Sequence, residues 1–338
     1  MKSALLVGFG SVGQRHLTEL SKRYESICVI DPKFENSNLA EKPMCSNWNF
    51  VPSFSGLNGN VQYGIAVIAS WGPTHLKVLK EVVALRPEFI LLEKPVESSL
   101  QKIDEIENTL NFYNLPATVN FHLRYSPLRK IIESVIDEQD FGDICSVNLT
   151  AGAKCIATNG IHYLDLIMQL FSETPYEVSA QLYSDAINPR ESTLSFLGGV
   201  ANFAFSQNRF LTLNFSNKSY ADLTLEMIFE KGKLVYENGR VNIYSVEDLD
   251  KFKNLPRTRS VRFDHLIKTF LLPIDQNLDG ISNLYNFIAA NTGNFDIRDA
   301  TESTRQILRA CIASKRGKKL RYDESLPDED LQNDWMIS

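Results

Sequence analysis

Residues 90–96 read ILLEKPV, a strand-type apolar run that ends in a glutamate, a lysine and a proline. A lysine at the end of a buried strand is costly unless something uses it. The plain alternative is a strand-end lysine whose stem snorkels to solvent. Near the start of the chain, Gly8, Gly10 and Gly13 form G-x-G-x-x-G within GFGSVG. Gly8 permits a tight turn, Gly10 lets backbone approach a pyrophosphate, and Gly13 lets a helix pack close to its strand. The helix N-terminus attracts phosphate charge. Phe9, Ser11 and Val12 complete this loop as cofactor contacts. Asp31 ends the next strand-type run, where a ribose 2′-hydroxyl needs an acceptor. Its charge repels a 2′-phosphate and favours NAD, whereas Lys33, in DPK, could reach such a phosphate and leaves NADP open.

The elements that must carry these residues alternate. The runs SALLVGFG, SICVID, YGIAVIAS, EFILLE and ATVNF read as strands. VGQRHLTELSKRY, PTHLKVLKEVVAL (Pro73 at its start) and SLQKIDEIENTLNFY read as helices. Strand and helix in alternation predict a Rossmann-type doubly wound parallel sheet, an α/β arrangement with helices on both faces. From about residue 143 the pattern changes to long runs that alternate apolar and polar positions, as in half-buried antiparallel strands. Asn238 and Gly239 mark a hairpin turn. A chain of 338 residues is long enough for two domains, expected at 1–122 and 123–338. The first would bind a dinucleotide. The second would be an α+β domain with a large open, mostly antiparallel sheet that binds substrate and oligomerises.

Composition narrows the function classes. The net charge is −6 and no Lys/Arg-rich tract is present, which argues against nucleic acid as a partner. No stretch approaches the roughly 20 apolar residues of a membrane span. The N-terminal apolar run ends in glycines without a small-residue cleavage site, so a cytoplasmic location is expected. The five cysteines, Cys28, Cys45, Cys145, Cys155 and Cys311, are scattered and form no C-x-x-C pair. They read as free thiols with no metal framework.

In their order, GFGSVGQRH, IASWGPTHLKVL, LLEKPV, NFHLRYSP and NGIHYLDLIMQLF resemble the Gfo/Idh/MocA oxidoreductase family. The final ATESTRQILRACIASKRGKKLRY resembles that family's last helix. The resemblance implies an NAD(P)-dependent dehydrogenase acting on a CH–OH group of a sugar or sugar derivative, possibly a sugar nucleotide. It implies that Lys94 contacts both the nicotinamide ribose and the substrate hydroxyl, with Glu93 beside it. It makes Lys94–Pro95 a candidate cis bond. Ser70, Trp71 and His75 join the cofactor contacts, with packing of Trp71 and a structural role for His75 as the alternatives. His122, Arg124, Thr158, Asn159 and Tyr163 fall on the substrate side. Arg124 could face a carboxylate or phosphate, or pair with an acidic helix.

Moving hydride from an alcohol requires a proton acceptor near working pH. Lysine is too basic unless its surroundings change it, and histidine already titrates near neutrality. Lys94 and His162 are the candidate catalytic pair. Many family members carry aspartate four residues before this histidine, and this chain has Thr158, which offers only a neutral hydrogen bond. His122 stands where asparagine is common. The rival reading is a non-catalytic NAD- or metabolite-binding sensor or scaffold on the same fold. A wide sheet needs cover, so a homodimer or homotetramer through the C-terminal sheet is expected. Residues 299–302, DATE, read as a capping box for the last long helix, and the acidic tail ending near Trp335 as a docked or flexible extension without chemistry.

Overall fold

The computed structural model describes residues 3–35, 47–57, 61–152, 154–184, 196–216, 218–246, 264–272, 276–291, 295–335 and 337. The chain forms two compact units. The first joins Met1–His122 to Gly280–Leu308 and Ser325–Ser338; the second joins Leu123–Asp279 to Arg309–Glu324. The expected division at 122/123 assigned all later residues to the second domain. The two returning segments depart from that assignment because their apolar and polar side chains find partners in the first unit.

The first unit is built on a parallel sheet of β1 (Ser3–Val7), β2 (Ser26–Ile30), β3 (Trp48–Val51), β4 (Tyr63–Ile68), β5 (Ile90–Leu92) and β6 (Ala117–Val119). The spatial order is β3-β2-β1-β4-β5-β6. Leu5, Leu6, Ile65, Val67 and all of β5 are buried, as strands covered on both faces must be. Strand order reverses between β1 and β4, the switch point where ligands bind in open α/β sheets. Three helices connect strands: α1 (Ser11–Leu20), α2 (His75–Ala84) and α3 (Leu100–Tyr113). Ser99 caps α3 by accepting from the Lys102 N–H at 3.3 Å, and Asn114 ends it with φ +51°. Strand β3 was not expected from the sequence; its four residues, WNFV, carry too short an alternation to stand out.

The second unit holds α4 (Pro127–Glu138), α5 (Ile161–Phe171) and strands β7 (Ile144–Gly152), β8 (Glu177–Ser184), β9 (Leu197–Phe205), β10 (Arg209–Ser216), β11 (Thr224–Phe229), β12 (Gly232–Glu237), β13 (Arg240–Val246), β14 (Asp264–Leu271) and β15 (Leu320–Arg321). They form one sheet in the order β14-β13-β12-β11-β7-β10-β9-β8-β15. Pairing is antiparallel except between β10 and β7. The expected hairpin is present: Glu237 pairs with Arg240, and Asn238 and Gly239 both have positive φ, 48° and 72°, as a type I′ turn requires. Phe203, Phe205, Leu211, Leu213 and Phe215 line the buried face.

Helices α6 (Gln276–Ala290) and α7 (Ile297–Arg316) follow. The latter starts earlier than the DATE motif suggested. Asp296 caps it, accepting from the Arg298 N–H at 2.9 Å, so Asp299 lies inside the first turn. The acidic tail is docked. The Trp335 N–H donates to the Ser98 carbonyl at 2.8 Å, and Asp334 accepts from Ser98 Oγ and Lys102 Nζ, each at 2.6 Å. Among the described residues no helix is long and apolar enough to cross a membrane, and Cys28, Cys145, Cys155 and Cys311 are free thiols. Cys45 lies outside the described residues.

Phe203→Ala should destabilise the protein by about 3–5 kcal/mol in urea unfolding. Phe112→Ala, at a ring 83% exposed, should stay within about 0.5 kcal/mol of the parent.

Candidate functional site

The glycine turn follows from close approach of backbone to backbone. Gly8 has φ +99°, and a Cβ there would lie 2.5 Å from the Ala69 carbonyl. A Cβ on Gly13 would lie 2.2 Å from the Gly8 oxygen. Gly10 differs: a Cβ there would meet nothing within 4 Å. It is the N-cap of α1 and supplies no side-chain cap, so the N–H groups of Ser11, Val12 and Gly13 lack intrahelical acceptors. Open space over uncapped donors at a positive helix end fits a pyrophosphate.

The ribose corner holds two opposite charges, both tied to Phe9. Asp31 accepts from the Phe9 N–H at 2.7 Å and the Lys33 N–H at 3.0 Å. The Lys33 ammonium donates to the Phe9 carbonyl at 2.7 Å and lies 4.5 Å from the centre of the Phe9 ring. The Phe9 ring packs on Phe34 and Phe50, which anchors the loop from below.

Beyond β4, Ser70 and Trp71 enter the short turn Gly72–Thr74. Trp71 is 42% exposed. A Cβ on Gly72 would lie 3.0 Å from the Pro95 oxygen, so this turn sits against the Glu93–Lys94–Pro95 loop. His75 clasps the two together. Its ring nitrogens lie 2.9 Å from the Ser70 carbonyl and 3.0 Å from the Val96 carbonyl. Burial drives its pKa down, against the pull of those carbonyls and of Glu97 and Glu93. The side chain expected among the cofactor contacts is thus buried and committed to holding two loops.

Lys94 follows β5 at its carboxyl end and is half-buried; the Lys94–Pro95 bond is cis. Around it the loop is buried throughout from Pro95 to Ser99. Glu97 accepts from the N–H groups of Leu76 and Ser98, and Thr304 from that of Val96. Glu93 is 6% exposed. Its Oε1 takes His16 Nε2 at 2.7 Å and Asn120 Nδ2 at 2.5 Å. Burial alone would raise its pKa. The hydrogen bond and charge of His16, the charge of Lys94 and the Asn120 bond outweigh that and hold it below its ordinary value. Asn120 and Tyr285, whose hydroxyl meets His16 Nδ1 at 2.8 Å, were not expected from the sequence. Tyr285 lies 269 residues from His16, so no local spacing could pair them. His122 begins a short 3₁₀ turn, His122–Tyr125, and Gly280 packs against its carbonyl.

In the second unit, a single π-turn, Ile156–Gly160, precedes α5. Such turns recur at functional sites. Thr158 and Asn159 lie within it. Asn159 Oδ1 accepts from the Cys155 N–H at 3.1 Å, so that side chain, expected on the substrate, braces the turn. Gly160 lets the helix start approach β10: a Cβ there would lie 3.1 Å from Leu213 Cδ1. His162 and Tyr163 occupy the first turn of α5. Burial, then Tyr236 and Asp222, push the Tyr163 hydroxyl well above its ordinary pKa, so it remains a hydrogen-bond donor. Arg124 grips Asp165 through two bonds, Nε–Oδ2 at 2.7 Å and Nη2–Oδ1 at 2.6 Å. Of the roles open for Arg124, this bidentate contact fulfils the pairing with an acidic side chain on a helix. Lys94 and the glycine loop therefore belong to one unit, and Arg124, Thr158, Asn159, His162 and Tyr163 to the other.

Residues 2–121 match the model of an oxidoreductase family with an NAD-binding Rossmann fold, Gfo/Idh/MocA. The matched residues carry the glycine turn, Asp31 and Lys94. A glucose-6-phosphate 3-dehydrogenase from Bacillus subtilis is 21% identical over 287 residues, 73% of this chain and 78% of the relative. The fold extends beyond the family domain. An oxidoreductase from Agrobacterium radiobacter, solved with NAD+, L-tartaric acid and magnesium, superposes with TM-score 0.73 at 12% identity, covering 95% of this chain and 98% of that one. A super-repressor mutant of Gal80p from Saccharomyces cerevisiae superposes with TM-score 0.74 at 16% identity, covering 96% of this chain and all of that one.

Gly13→Ala should abolish NAD binding in calorimetry and cost roughly 1–3 kcal/mol of stability, because the new methyl must displace the Gly8 carbonyl. A second expectation concerns acid. The Glu93 carboxyl is depressed below its ordinary 4.5 in the folded state. The stability it contributes is present above that value and lost as pH falls through the folded one. Glu93→Gln should flatten the acid limb of stability below about pH 4.5, read by urea unfolding at stepped pH.

Proposed function

We propose that the protein is an NAD-dependent dehydrogenase that moves hydride between the nicotinamide and a secondary hydroxyl of a sugar or sugar derivative. The observation that carries this reading is Lys94, at the carboxyl end of β5 in the same sheet whose β1 leads into the glycine turn. Ligands of such sheets lie beyond the carboxyl ends of the strands. The sugar class is supported by the Bacillus subtilis relative. When bound, NAD supplies the hydride acceptor for the carbon of a CH–OH group. The Gly10 turn and α1 N-terminus hold pyrophosphate, and Asp31 takes the ribose diol. Lys94 Nζ accepts the hydroxyl proton in oxidation and returns it in reduction. His162, at the start of α5, is the second proton-handling candidate. Thr158 stands where many relatives have a carboxylate and can offer only a neutral hydrogen bond, so Lys94 carries more of the proton step in this reading.

A second copy of the chain covering the nine-stranded sheet belongs to this reading. Register aligns Phe210, Ser146, Ile228, Lys233, Tyr244 and Leu266 across five strand pairings on one face. Phe210, Ile228 and Leu266 in that row are 45%, 36% and 56% exposed, a belt suited to burial against a partner.

The likeness to Gal80p, a transcriptional regulator in its Kluyveromyces lactis form, together with Thr158, supports a second reading: an NAD-binding sensor without turnover. Thermal unfolding with NAD, NADH, NADP and NADPH comes first. NAD at about 100 times its dissociation constant should stabilise by roughly 2.7 kcal/mol. Lys94→Ala should then lower sugar dehydrogenation by roughly 10²–10⁴-fold while keeping that stabilisation. Binding without turnover on any sugar or sugar phosphate, unchanged in Lys94→Ala, would favour the sensor; no stabilisation by any nucleotide would sink both readings.

A further inference from the structure

Every polar group of Ser98 is committed, and the docked tail holds it at two points. Its N–H donates to Glu97 Oε2 at 2.6 Å. Its carbonyl accepts from the Trp335 N–H at 2.8 Å. Its hydroxyl lies 2.6 Å from Asp334 Oδ1 and 2.9 Å from Glu97 Oε2. A hydroxyl has one proton and an ionised carboxylate only accepts, so the two carboxylates compete for it. The shorter contact belongs to Asp334. Lys102 Nζ, from the first turn of α3, completes the corner, donating to Asp334 Oδ1 at 2.6 Å and to Ser98 Oγ at 3.4 Å. Glu97 and Ser98 are buried, whereas the Asp334 side chain is half-exposed. On the far side of Glu97 stands α2. Its N-cap, Thr74, supplies no side-chain cap, so the Leu76 N–H is one of the donors that a helix start leaves without an intrahelical acceptor. Glu97 Oε1 takes it at 3.3 Å. One residue earlier, His75 meets the Ser70 and Val96 carbonyls. A continuous bonded path therefore runs from Asp334 through Ser98 and Glu97 to the start of α2.

We propose that Asp334 is a positioning residue for the nucleotide side of the first unit: by taking the Ser98 proton it fixes Ser98 and leaves Glu97 to cap α2, which seats the Ser70–Gly72 turn against Pro95. That seat is close, since a Cβ on Gly72 would lie 3.0 Å from the Pro95 oxygen. Without Asp334 the hydroxyl turns to Glu97, and Ser98 loses the anchor that holds it from the tail. The Glu97 carboxylate then follows a looser Ser98 and caps α2 less well. Docking of the tail and binding of a nucleotide at the turn are thereby coupled. Such coupling is reciprocal: bound NAD tightens the tail by the factor through which the tail favours NAD. The inference rests on the reading that sets Ser70 and Trp71 beside the nucleotide, and is independent of which substrate is oxidised.

The test is amide hydrogen exchange of the full-length protein, resolved to single residues and run without nucleotide, followed by NAD calorimetry. Asp334→Ala should speed exchange of the Leu76 amide about tenfold, the effect of losing roughly one hydrogen bond to a charged group. The β9–β10 ladder of the second unit should not change. Asp334→Glu, which keeps the carboxylate, should restore most of the protection. Adding Asp334→Ala to Ser98→Ala should alter Leu76 no further than Ser98→Ala alone, because both act along one path. NAD affinity should fall about fivefold to tenfold in Asp334→Ala, and NAD should slow exchange of the Trp335 amide in the parent. Leu76 exchange and NAD affinity that match the parent in Asp334→Ala overturn the proposal. So does faster exchange confined to the first turn of α3, which would make the tail a strut for that helix alone. Additive effects in the double variant overturn it as well. Should Ser98→Ala not fold, Asp334→Ala, at its half-exposed position, decides alone. Failure of the nucleotide reading would show instead as no NAD binding by the parent, with the Asp334-dependent exchange of Leu76 still measurable.

Discussion

Burying the Glu93 carboxylate obliges separate elements to deliver donors to one place. That obligation organises the first unit. Helix α1 brings His16 on the same turn-and-a-half that follows the glycine loop. The end of β6 brings Asn120, and α6 brings Tyr285 to the other nitrogen of the His16 ring. Because His16 lies on the helix that begins at the glycine turn, the group that would hold pyrophosphate and the loop that bears Lys94 are joined by one short hydrogen bond. A displacement at either end is felt at the other. The loop after Lys94 is held in the same manner, with Glu97, Thr304 and His75 taking or meeting its backbone groups. Hardly any of this loop is free to relax, which is what a site that must hold reacting atoms at fixed distances needs.

Much of this was legible in the sequence because its physical causes are local. Gly8 and Gly13 are glycine because backbone atoms stand where a methyl would go. The parallel strands announce themselves as apolar runs because both faces are covered. Asn238 and Gly239 are read as a hairpin because only such residues tolerate the positive φ they adopt. The lysine of ILLEKPV was conspicuous because a charge at a buried strand end demands an explanation.

What escaped the reading is non-local or short. Tyr285 meets His16 across most of the chain, and nothing in NLYNFIAA marks it as a histidine's partner. His75 sits in a recognisable motif, yet whether its ring faces a ligand or two carbonyls depends on how the loops beside it pack. Arg124 could have met a ligand or a carboxylate; the bidentate grip on Asp165 follows from α5 presenting that carboxylate, which spacing alone does not reveal. The start of α7 lies earlier because Asp296 meets the Arg298 N–H and caps the helix ahead of Asp299.

The first unit is assembled from three stretches of chain that are far apart in sequence. Tyr285 reaches His16 only from the second of them, and Trp335 reaches Ser98 only from the third. On a ribosome, the parallel sheet can form once its sixth strand has emerged, but the His16 ring that meets the buried charge lacks its Tyr285 partner until more than 160 further residues have been made, counting from Asn120 to Tyr285. The first unit is therefore an unfinished fold throughout synthesis of the second sheet, and its Trp335–Ser98 clasp closes only after that sheet has been made.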